Sequence, residues 1–292
     1  MELAHTHTTF ADTTYKEAES AFHSKGAQLF ADAIKKGFNI IKSNIDILKI
    51  DCDYSSKTGY LYAENKDEVK LLSEIYDGAK KVGVAVNYVD HLPTPVTFQK
   101  SLSWPGQAQF HPLKYLRGLQ LAFLAAGGTI LENTRITSVT AENNLHIAES
   151  DGRNTKAITI VYATHMPPNI NVFNFECALY RSYVIAVKLK SGAYSDALIY
   201  DSKETYHCVH SHIVDDQELL LIGGLDHKTG HEDPEKAFAE LEKYALMYYN
   251  ISSIRYKWSS QHYVPVDGLP YIGKMPFAVA GIYCATGYNG MV

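Results

Sequence analysis

Apolar residues recur at three- and four-residue steps over four stretches of this chain, with charged and polar residues between them. This spacing collects the apolar side chains on one face and is typical of amphipathic helices. Gly83 ends the second stretch, and Gly127 with Gly128 ends the third. Asp233 before Pro234 is suited to cap the start of the fourth. The pattern predicts helices over residues 14–49, 66–83, 112–128 and 233–249.

A two-residue alternation of apolar and polar positions predicts strands elsewhere. It is found in "YSSKTGYLYAEN" and in three later runs, which predict an antiparallel sheet: residues 178–190, 197–224 and 253–268. Between the third helix and Pro168 we expect a short strand, a hairpin turning at Asp151-Gly152 and an apolar strand from Ala157 to Ala163. Residues 93–112 contain four prolines, which favours a long loop or broken edge strands.

Composition narrows the class of protein. The chain has 292 residues, of which 46% are hydrophobic and 20% charged, which is typical of a globular protein of one large or two ordinary domains. Sheet-forming runs come from distant parts of the chain, so we expect two interleaved lobes. A net charge of -5 predicts no nucleic-acid partner. Four separated cysteines without a C-x-x-C pair favour buried thiols in a reducing compartment.

Targeting signals are not evident in the sequence. No basic and apolar leader follows Met1, and glycines, Pro276 and Asn289 interrupt the uncharged last 18 residues. Such breakers would leave backbone groups unpaired in a bilayer, so we predict no membrane span and a cytoplasmic location.

Searches for familiar chemistry give mostly negative results. There is no G-x-G-x-x-G run and no G-x-S-x-G run. His207, His210 and His212 lie on one predicted strand, but no carboxylate stands at a matching position, so we predict a polar surface and no metal site. The same holds for His5 and His7. By their neighbours, we interpret three acids as turn residues: Asp201, Asp215 and Asp216.

The last stretch, "VDGLPYIGKMPFAVAGIYCATGYNG", is different. It predicts a turn at Asp267-Gly268, then a short buried strand from Ile282 to Ala285 that breaks at Gly287. Glycines here would let backbone N–H groups approach a flat ligand closely. A tight turn after a core strand is the alternative interpretation.

The same stretch resembles the closing segment of FAD-dependent oxidoreductases of the D-amino-acid oxidase / glycine oxidase type. The resemblance rests on D-G-x-P-x-I-G from Asp267 and on A-T-G-Y-x-G from Ala285, and three further segments agree in order. The segment "LLLIGGLDHKTGHEDPEKAFAELEKYA" resembles a branch whose members often carry a C-terminal Rieske iron–sulfur domain. The resemblance implies an α/β fold, FAD as cofactor and a possible Rieske partner domain.

The resemblance also implies cofactor contacts. Ile136 would lie near the adenine, Ala163 and Thr164 near the pyrophosphate, and His5 along the FAD. The flavin ring would lie beside the closing segment, which gives these further contacts: Gly273, Gly287, Tyr288, Asn289, Gly290 and Met291.

The family's G-x-G-x-x-G segment and its closing parts have no counterpart here, so we expect both ends to be cut. The implied FAD-binding lobe is therefore truncated and comprises residues 1–52, 111–168 and 263–292. The substrate lobe, an α+β unit with an antiparallel sheet, comprises residues 53–110 and 169–262.

The resemblance implies hydride transfer from a C–H next to an amine or hydroxyl of a small molecule to flavin N5. Family members grip the substrate carboxylate with an Arg where this chain has His262, which puts a simple amino-acid substrate in doubt. The catalytic residues stay unknown; Tyr60, Arg181, His262 and Tyr288 are candidate cleft residues. An inactive fragment and a flavin-free binding protein are the alternatives.

Overall fold

A computed structural model describes residues 5–8, 13–143, 145–150, 152–191, 194–214 and 216–290. Its elements, in chain order, are β1 (His5–Thr6), α1 (Tyr15–Leu48), β2 (Ser55–Ala63), α2 (Lys66–Lys81), β3 (Asn87–Val89), β4 (Lys100–Gln109), α3 (Pro112–Ala125), β5 (Ile136–Glu142), β6 (Leu145–Ser150), β7 (Arg153–Ala157), β8 (Ile160–Tyr162), α4 (Phe173–Glu176), β9 (Cys177–Leu189), β10 (Ala197–Asp201), β11 (His207–Val214), β12 (Gln217–Lys228), α5 (Pro234–Tyr248), β13 (Ile251–Pro265), β14 (Tyr271–Lys274) and β15 (Ile282–Thr286).

The chain forms two compact units. The described residues within 1–119 and 180–261 form the first, here called the large unit. Those within 120–179 and 262–290 form the second, the small unit. The chain passes from one to the other within α3, β9 and β13, so the prediction of an interleaved α/β chain holds in outline.

The four predicted helices are confirmed, and their caps explain where they begin. Thr14 and Glu17 form a capping box on α1, with each side chain accepting the other residue's backbone N–H. The Asn65 side chain accepts from two backbone N–H groups at the start of α2. Asp233 caps α5 as predicted, accepting from the backbone N–H of Glu235.

The large unit is built on a nine-stranded sheet with the order β1-β4-β2-β10-β11-β12-β9-β13, and β3 beside β4. The pairing is antiparallel as predicted at most positions, but β10 and β2 run parallel. α5 covers one part of the sheet: its Leu241 packs in the same core as Leu220 and Ile222 of β12, and all three are fully buried. α1 and α2 pack over another part, around Leu72 and Trp104.

Of the two alternatives predicted for residues 93–112, a long loop or broken edge strands, the loop is wrong for residues 100–109, and the strand found there does not lie at the sheet edge. Residues 100–109 form β4, a strand paired on both sides, by β2 and by β1 and β3. The register of β4 against β2 shifts between Lys57 and Gly59, opposite Pro105 and Gly106. A bulge tolerates a proline because no ladder hydrogen bond is needed there, and Gly106 takes a φ of 71°.

The small unit holds two three-stranded sheets, β5-β6-β7 and β14-β15-β8. Ser150 pairs with Arg153, so β6 and β7 join through two residues, as the predicted hairpin requires; Asp151 itself lies outside the described residues. The predicted strand from Ala157 to Ala163 is shorter in the structure, where β8 covers Ile160–Tyr162. The predicted buried strand before Gly287 is confirmed as β15.

Contacts group the described residues within 1–52 and 111–119 with the large unit, whereas the sequence assigned these ranges to the FAD-binding lobe. The reason is that α1 packs on α2 and β1 pairs with β4. Residues 169–179 and 262, assigned to the substrate lobe, group with the small unit. Which lobe holds the cofactor stays a prediction.

Two further sequence predictions concern burial and membranes. All four cysteines are free and buried, which confirms the predicted buried thiols. Within the described ranges, no helix combines the length and the apolar character needed to cross a membrane.

Candidate functional site

Two loops of the small unit meet where β8 and β15 end. The strands are parallel, with Ile282 opposite Ile160 and Cys284 opposite Tyr162, so their carboxyl ends lie at the same sheet edge. The Thr286 hydroxyl donates to the backbone carbonyl of His165 at 2.5 Å, which joins the two loops. Ligands of open α/β sheets bind outside the carboxyl ends of parallel strands. We call residues 163–168 and 287–290 the edge loops.

Six of the predicted cofactor residues come together in the edge loops. Ala163 and Thr164 follow β8 directly, and both are exposed. The other four follow β15: Gly287, Tyr288, Asn289 and Gly290. The sequence therefore identified two segments, at least 123 positions apart in the chain (Thr164 to Gly287), that the fold places side by side.

The backbone of the second edge loop is fixed by its glycine and its asparagine. Gly287 has a φ of 72°, and a Cβ there would lie 2.7 Å from Cγ of Pro265. Asn289 also has a left-handed φ, 56°. Its backbone N–H donates to Tyr263 O at 3.1 Å, and its side-chain Nδ2 donates to Gly268 O at 3.1 Å. These bonds tie the loop to the predicted Asp267-Gly268 turn.

Two buried polar atoms of the edge loops have no hydrogen-bond partner among the described residues. They are Oδ1 of Asn289 and Nε2 of His165. An unpaired buried polar group costs about 1–3 kcal/mol, so such atoms are expected where a ligand supplies the missing partner. The His165 ring packs against Tyr263, with 4.8 Å between the ring centroids.

His262 lies at the end of β13 beside this site and is buried, with 6% of its surface exposed. Burial lowers its pKa from 6.5 to about 4, and repulsion from His165 adds to the effect. The imidazole is therefore neutral at pH 7. It does not supply the positive, two-pronged grip that an Arg gives a carboxylate.

The remaining predicted residues are placed elsewhere or are not described. Ile136 begins β5, in the other sheet of the small unit, and is 44% exposed. Gly273 lies within β14, paired with Cys284, and not in a loop. Met291 lies outside the described residues. Burial raises the pKa of the half-buried Tyr288.

Of the candidate cleft residues in the large unit, Arg181 donates from Nη1 to the Ser259 hydroxyl at 2.7 Å, between β9 and β13. Tyr60, on β2, is half-buried against the main core of the sheet. The roles of these two side chains stay predictions.

His5 belongs to a hydrogen-bonded chain in the large unit that the sequence did not reveal. His5 Nδ1 lies 2.5 Å from Tyr200 Oη, and His5 Nε2 lies 2.9 Å from His210 Nδ1. His7 Nε2 lies 2.8 Å from the same Tyr200 Oη. We call these four residues the histidine chain. Three strands separate β1 from β11 in the sheet, so the contact between their histidines requires the sheet to curl.

The histidine chain corrects the prediction of a polar surface. His210 is 4% exposed and His7 is 8% exposed, so both are buried. Burial lowers the pKa of His7 to about 4 and that of His210 to about 3. It also holds the pKa of His5 well below 6.5, with repulsion from His210 and His7 adding to the effect. The alternate histidines in "HTH" and "HSH" indicated in the sequence that two histidines of each motif share a strand face. Nothing in the sequence indicated that Tyr200 joins them.

The interpretation of Asp201 as a turn residue is also wrong. Asp201 ends β10, is 3% exposed, and accepts hydrogen bonds from the backbone N–H and from Nδ1 of His207 at 2.8 and 2.7 Å. The His207 ring stacks on Tyr244 of α5, with centroids 3.9 Å apart. Asp216 does lie in the turn between β11 and β12, and Asp215 is outside the described residues. Within the described ranges, no group of three or more His, Cys, Asp or Glu residues is arranged to hold a metal ion.

The fold and the edge loops define an α/β protein of the kind that binds a flat cofactor at the carboxyl edge of a sheet. A sequence profile described as "FAD dependent oxidoreductase" (DAO) matches residues 4–292. The chain therefore belongs to the FAD-dependent oxidoreductase family. The predicted family is confirmed, and with it the oxidoreductase class and the cofactor, FAD, that describe the family.

Individual relatives agree with that assignment. The chain is 29% identical over 281 residues to the "Putative Rieske 2Fe-2S iron-sulfur protein YhfW" of Bacillus subtilis (strain 168), covering 95% of this chain and 55% of that protein. The chain thus spans about half the length of this curated relative. Its fold is similar to glycine oxidase from Geobacillus kaustophilus, with a TM-score of 0.71, 15% identity and coverage of 99% of this chain and 78% of that one.

A second solved structure is L-proline dehydrogenase from P. horikoshii, with a TM-score of 0.74, 15% identity and coverage of 98% and 76%. At these identities the solved structures establish the α/β fold, which confirms the predicted fold class.

The edge loops fit the family's cofactor. One edge of a flavin ring offers an N–H donor between two carbonyl acceptors. The buried Oδ1 of Asn289, which has no hydrogen-bond partner among the described residues, is an acceptor. The exposed residues Ala163 and Thr164 have backbone N–H groups that can donate. The edge loops therefore offer both an acceptor and donors, as the donor and acceptor atoms of the flavin ring require.

Proposed function

We propose that this chain supplies the flavin-ring side of an FAD-dependent oxidoreductase that oxidises a small amine- or hydroxyl-bearing molecule by hydride transfer. The observation that supports this most is the pair of edge loops, which are joined at Thr286 and carry Oδ1 of Asn289, a buried acceptor without a partner among the described residues. FAD, when bound, supplies the two-electron acceptor; the protein positions substrate and excludes water.

Asn289, His165 and the backbone of Ala163 and Thr164 are the residues proposed to hold the cofactor. Gly287 lets the second edge loop turn closely enough to meet it, and Tyr288 flanks it. Contacts from His5, Ile136, Gly273 and Met291 remain predictions that rest on the family resemblance.

The substrate is proposed to be held without a two-pronged carboxylate grip. His262 stands where the family has an Arg, and its low pKa, about 4, supports a neutral role at pH 7. His262 and Tyr288 are proposed to orient the substrate by hydrogen bonds and shape. The roles of Tyr60 and Arg181, in the large unit, remain predictions.

Electrons are proposed to leave through the iron–sulfur centre of a Rieske partner domain. The support is the name of the Bacillus relative, "Putative Rieske 2Fe-2S iron-sulfur protein YhfW". A cytoplasmic location is proposed with it, on the buried, reduced thiols.

A comparison of FAD with riboflavin tests the proposed site. The sequence contains no G-x-G-x-x-G run to hold a pyrophosphate. We therefore expect weak binding, with riboflavin and FAD quenched by the chain at similar concentrations. Asn289→Ala should weaken both by roughly tenfold, the effect of about 1.4 kcal/mol.

Asn143→Ala is the matched control, because Asn143 also has a left-handed φ, 51°, in the small unit but is exposed. Micromolar binding of FAD with much weaker riboflavin binding would contradict the proposal, because the contacts would then lie on the phosphates. A folded chain that quenches neither flavin would favour the flavin-free or inactive alternatives.

A further inference from the structure

His165 lies at the centre of a very tight turn in the first edge loop. The backbone N–H of Met166 donates to the carbonyl oxygen of Thr164 at 2.8 Å, so the bond spans only three residues. His165, between them, has a φ of 66°. This is the pattern of the γ-turn with a positive central φ, which is rare and strained. The Cβ of a histidine makes a left-handed backbone unfavourable, so other contacts must hold the turn.

Two threonine hydroxyls hold this turn. The Thr164 hydroxyl donates to the carbonyl oxygen of Met166 at 2.9 Å, across the turn. The Thr286 hydroxyl donates to the carbonyl oxygen of His165 itself, at 2.5 Å. Thr286 is 0% exposed, so solvent does not reach its hydroxyl. The last residue of β15 therefore fixes the conformation of the first edge loop.

The turn also determines where the His165 ring lies. Its Nε2 is buried and has no hydrogen-bond partner within the described part of the chain, and the same is true of Oδ1 of Asn289. Each edge loop thus carries one such atom, and the Thr286 bond joins the loops. A ligand that meets both atoms forms a hydrogen bond with each loop. A change at Thr286 should therefore alter the spacing of the two atoms.

We propose that Thr286 is a positioning residue for the ligand of the edge loops. Its hydroxyl holds the strained turn, and the turn presents Nε2 of His165 for a hydrogen bond to the ligand. The inference rests on the proposed function and deepens it, because the ligand proposed there is the flavin ring. Without the Thr286 bond, the turn should relax to a negative φ and the His165 ring should leave its place.

Strain and a missing hydrogen bond occur together at His165, which supports a binding role. Tyr263 packs on the His165 ring, with 4.8 Å between the centroids, but does not bond to Nε2. A buried nitrogen without a partner destabilises the fold, and so does the positive φ. Strained backbone of this kind is concentrated at ligand-binding sites, where surrounding contacts hold it in place.

Chemical modification of the 292-residue chain tests the positioning without any flavin. Diethyl pyrocarbonate reacts with accessible imidazole nitrogens, and peptide mass spectrometry gives the rate at His165 relative to the exposed His231. Thr286→Val keeps the shape of the side chain and removes the hydroxyl, so His165 should react on the order of tenfold faster. Thr286→Ser keeps the hydroxyl, so His165 should react at the wild-type rate.

Thr134→Val is the matched control, because the Thr134 hydroxyl also donates to a backbone carbonyl of the small unit, that of Glu132 at 3.0 Å. His165 should keep its wild-type rate in this variant. An unchanged His165 rate in Thr286→Val, or a raised rate in Thr286→Ser, would overturn the positioning role. If Thr286→Val does not fold, Thr164→Val repeats the test, since it removes the other hydroxyl bond of the turn.

Riboflavin binding tests whether Thr286 acts through His165. In the wild-type background Thr286→Val should weaken the quenching of riboflavin roughly tenfold, and Thr134→Val should not. In a His165→Ala background Thr286→Val should have almost no further effect, because the group that it positions is gone. Equal losses in the two backgrounds would overturn the inference. No quenching of riboflavin by the wild type would count against the proposed function, while the modification rates would still decide whether Thr286 positions His165.

Discussion

Single residues fix the edge loops through conformation as much as through chemistry. Gly287 must have a positive φ and must lack a Cβ, because Pro265 occupies the space where one would lie. Asn289 takes a left-handed conformation that asparagine tolerates better than most residues. The sequence predicted both as site residues, since Gly and Asn in "ATGYNG" suit a turn. It could not predict that Oδ1 of Asn289 finds no partner within the described part of the chain, because the loop's position depends on Gly268 and Tyr263.

Gly287→Ala should destabilise the small unit more than a positive φ alone explains. The left-handed conformation costs an alanine about 1–2 kcal/mol, and contact with Pro265 adds to this. Gly152→Ala is the control, because Gly152 has a φ of 76° with open space around it. Urea unfolding of both variants gives the difference. Equal losses in the two would show that Pro265 moves aside at little cost.

The Asp201–His207 pair allows a second test at single residues. Asp201→Asn should lower the free energy of unfolding by about 1–3 kcal/mol, because the buried amide cannot accept both hydrogen bonds without a new tautomer of His207. Asp216→Asn, in the exposed turn of the same sheet, should have almost no effect. The measurement is again urea unfolding. A harmless Asp201→Asn would mean that the pair contributes little to stability.

Helices and strands could be predicted from the sequence where the local pattern of apolar and polar residues agrees with the tertiary packing. The helices α1, α2, α3 and α5 have caps or end signals that can be read in the sequence, and tertiary contacts do not change them. For the segment that contains β4, the sequence left a loop and broken edge strands open, because the two consecutive residues Pro105 and Gly106 look like a turn. Only the register shift opposite Lys57 and Gly59 makes room for them inside a paired strand. The parallel pairing of β10 with β2 likewise depends on contacts between distant segments.

Over the whole molecule, the sequence predicted an interleaved chain but not the boundaries of its units. The amphipathic pattern of α1 does not indicate which unit the helix packs on. Its contact with α2 places it in the large unit. The histidine chain was unpredictable for the same reason. His5 and His210 are 205 residues apart, and only the curl of the sheet brings them together.

Buried neutral histidines in both units make the free energy of unfolding depend on pH. His7 in the large unit and His262 in the small unit each have a pKa of about 4 in the folded protein, against 6.5 unfolded. Between these values the unfolded chain binds more protons, so stability falls as the pH drops from 6.5 to 4. Each side chain accounts for on the order of 3 kcal/mol of that loss.

His262→Gln should therefore lose less stability than the wild type between pH 7 and pH 4.5. His231→Gln, at an exposed position, should follow the wild type. Chemical unfolding at the two pH values measures the change. Parallel curves for wild type and His262→Gln would show that His262 becomes accessible to water before it is protonated.

The four buried cysteines give the molecule its own reporters of local opening. Cys52 and Cys208 lie in the large unit, and Cys177 and Cys284 lie in the small unit. Burial raises the pKa of all four thiols, to about 11 for Cys177 and about 12 for Cys208, so none reacts readily while its surroundings stay closed. The alkylation rate of each cysteine, followed by peptide mass spectrometry, would report local opening of each unit separately in the wild-type chain. A flavin bound at the edge loops should protect Cys284 and Cys177 first.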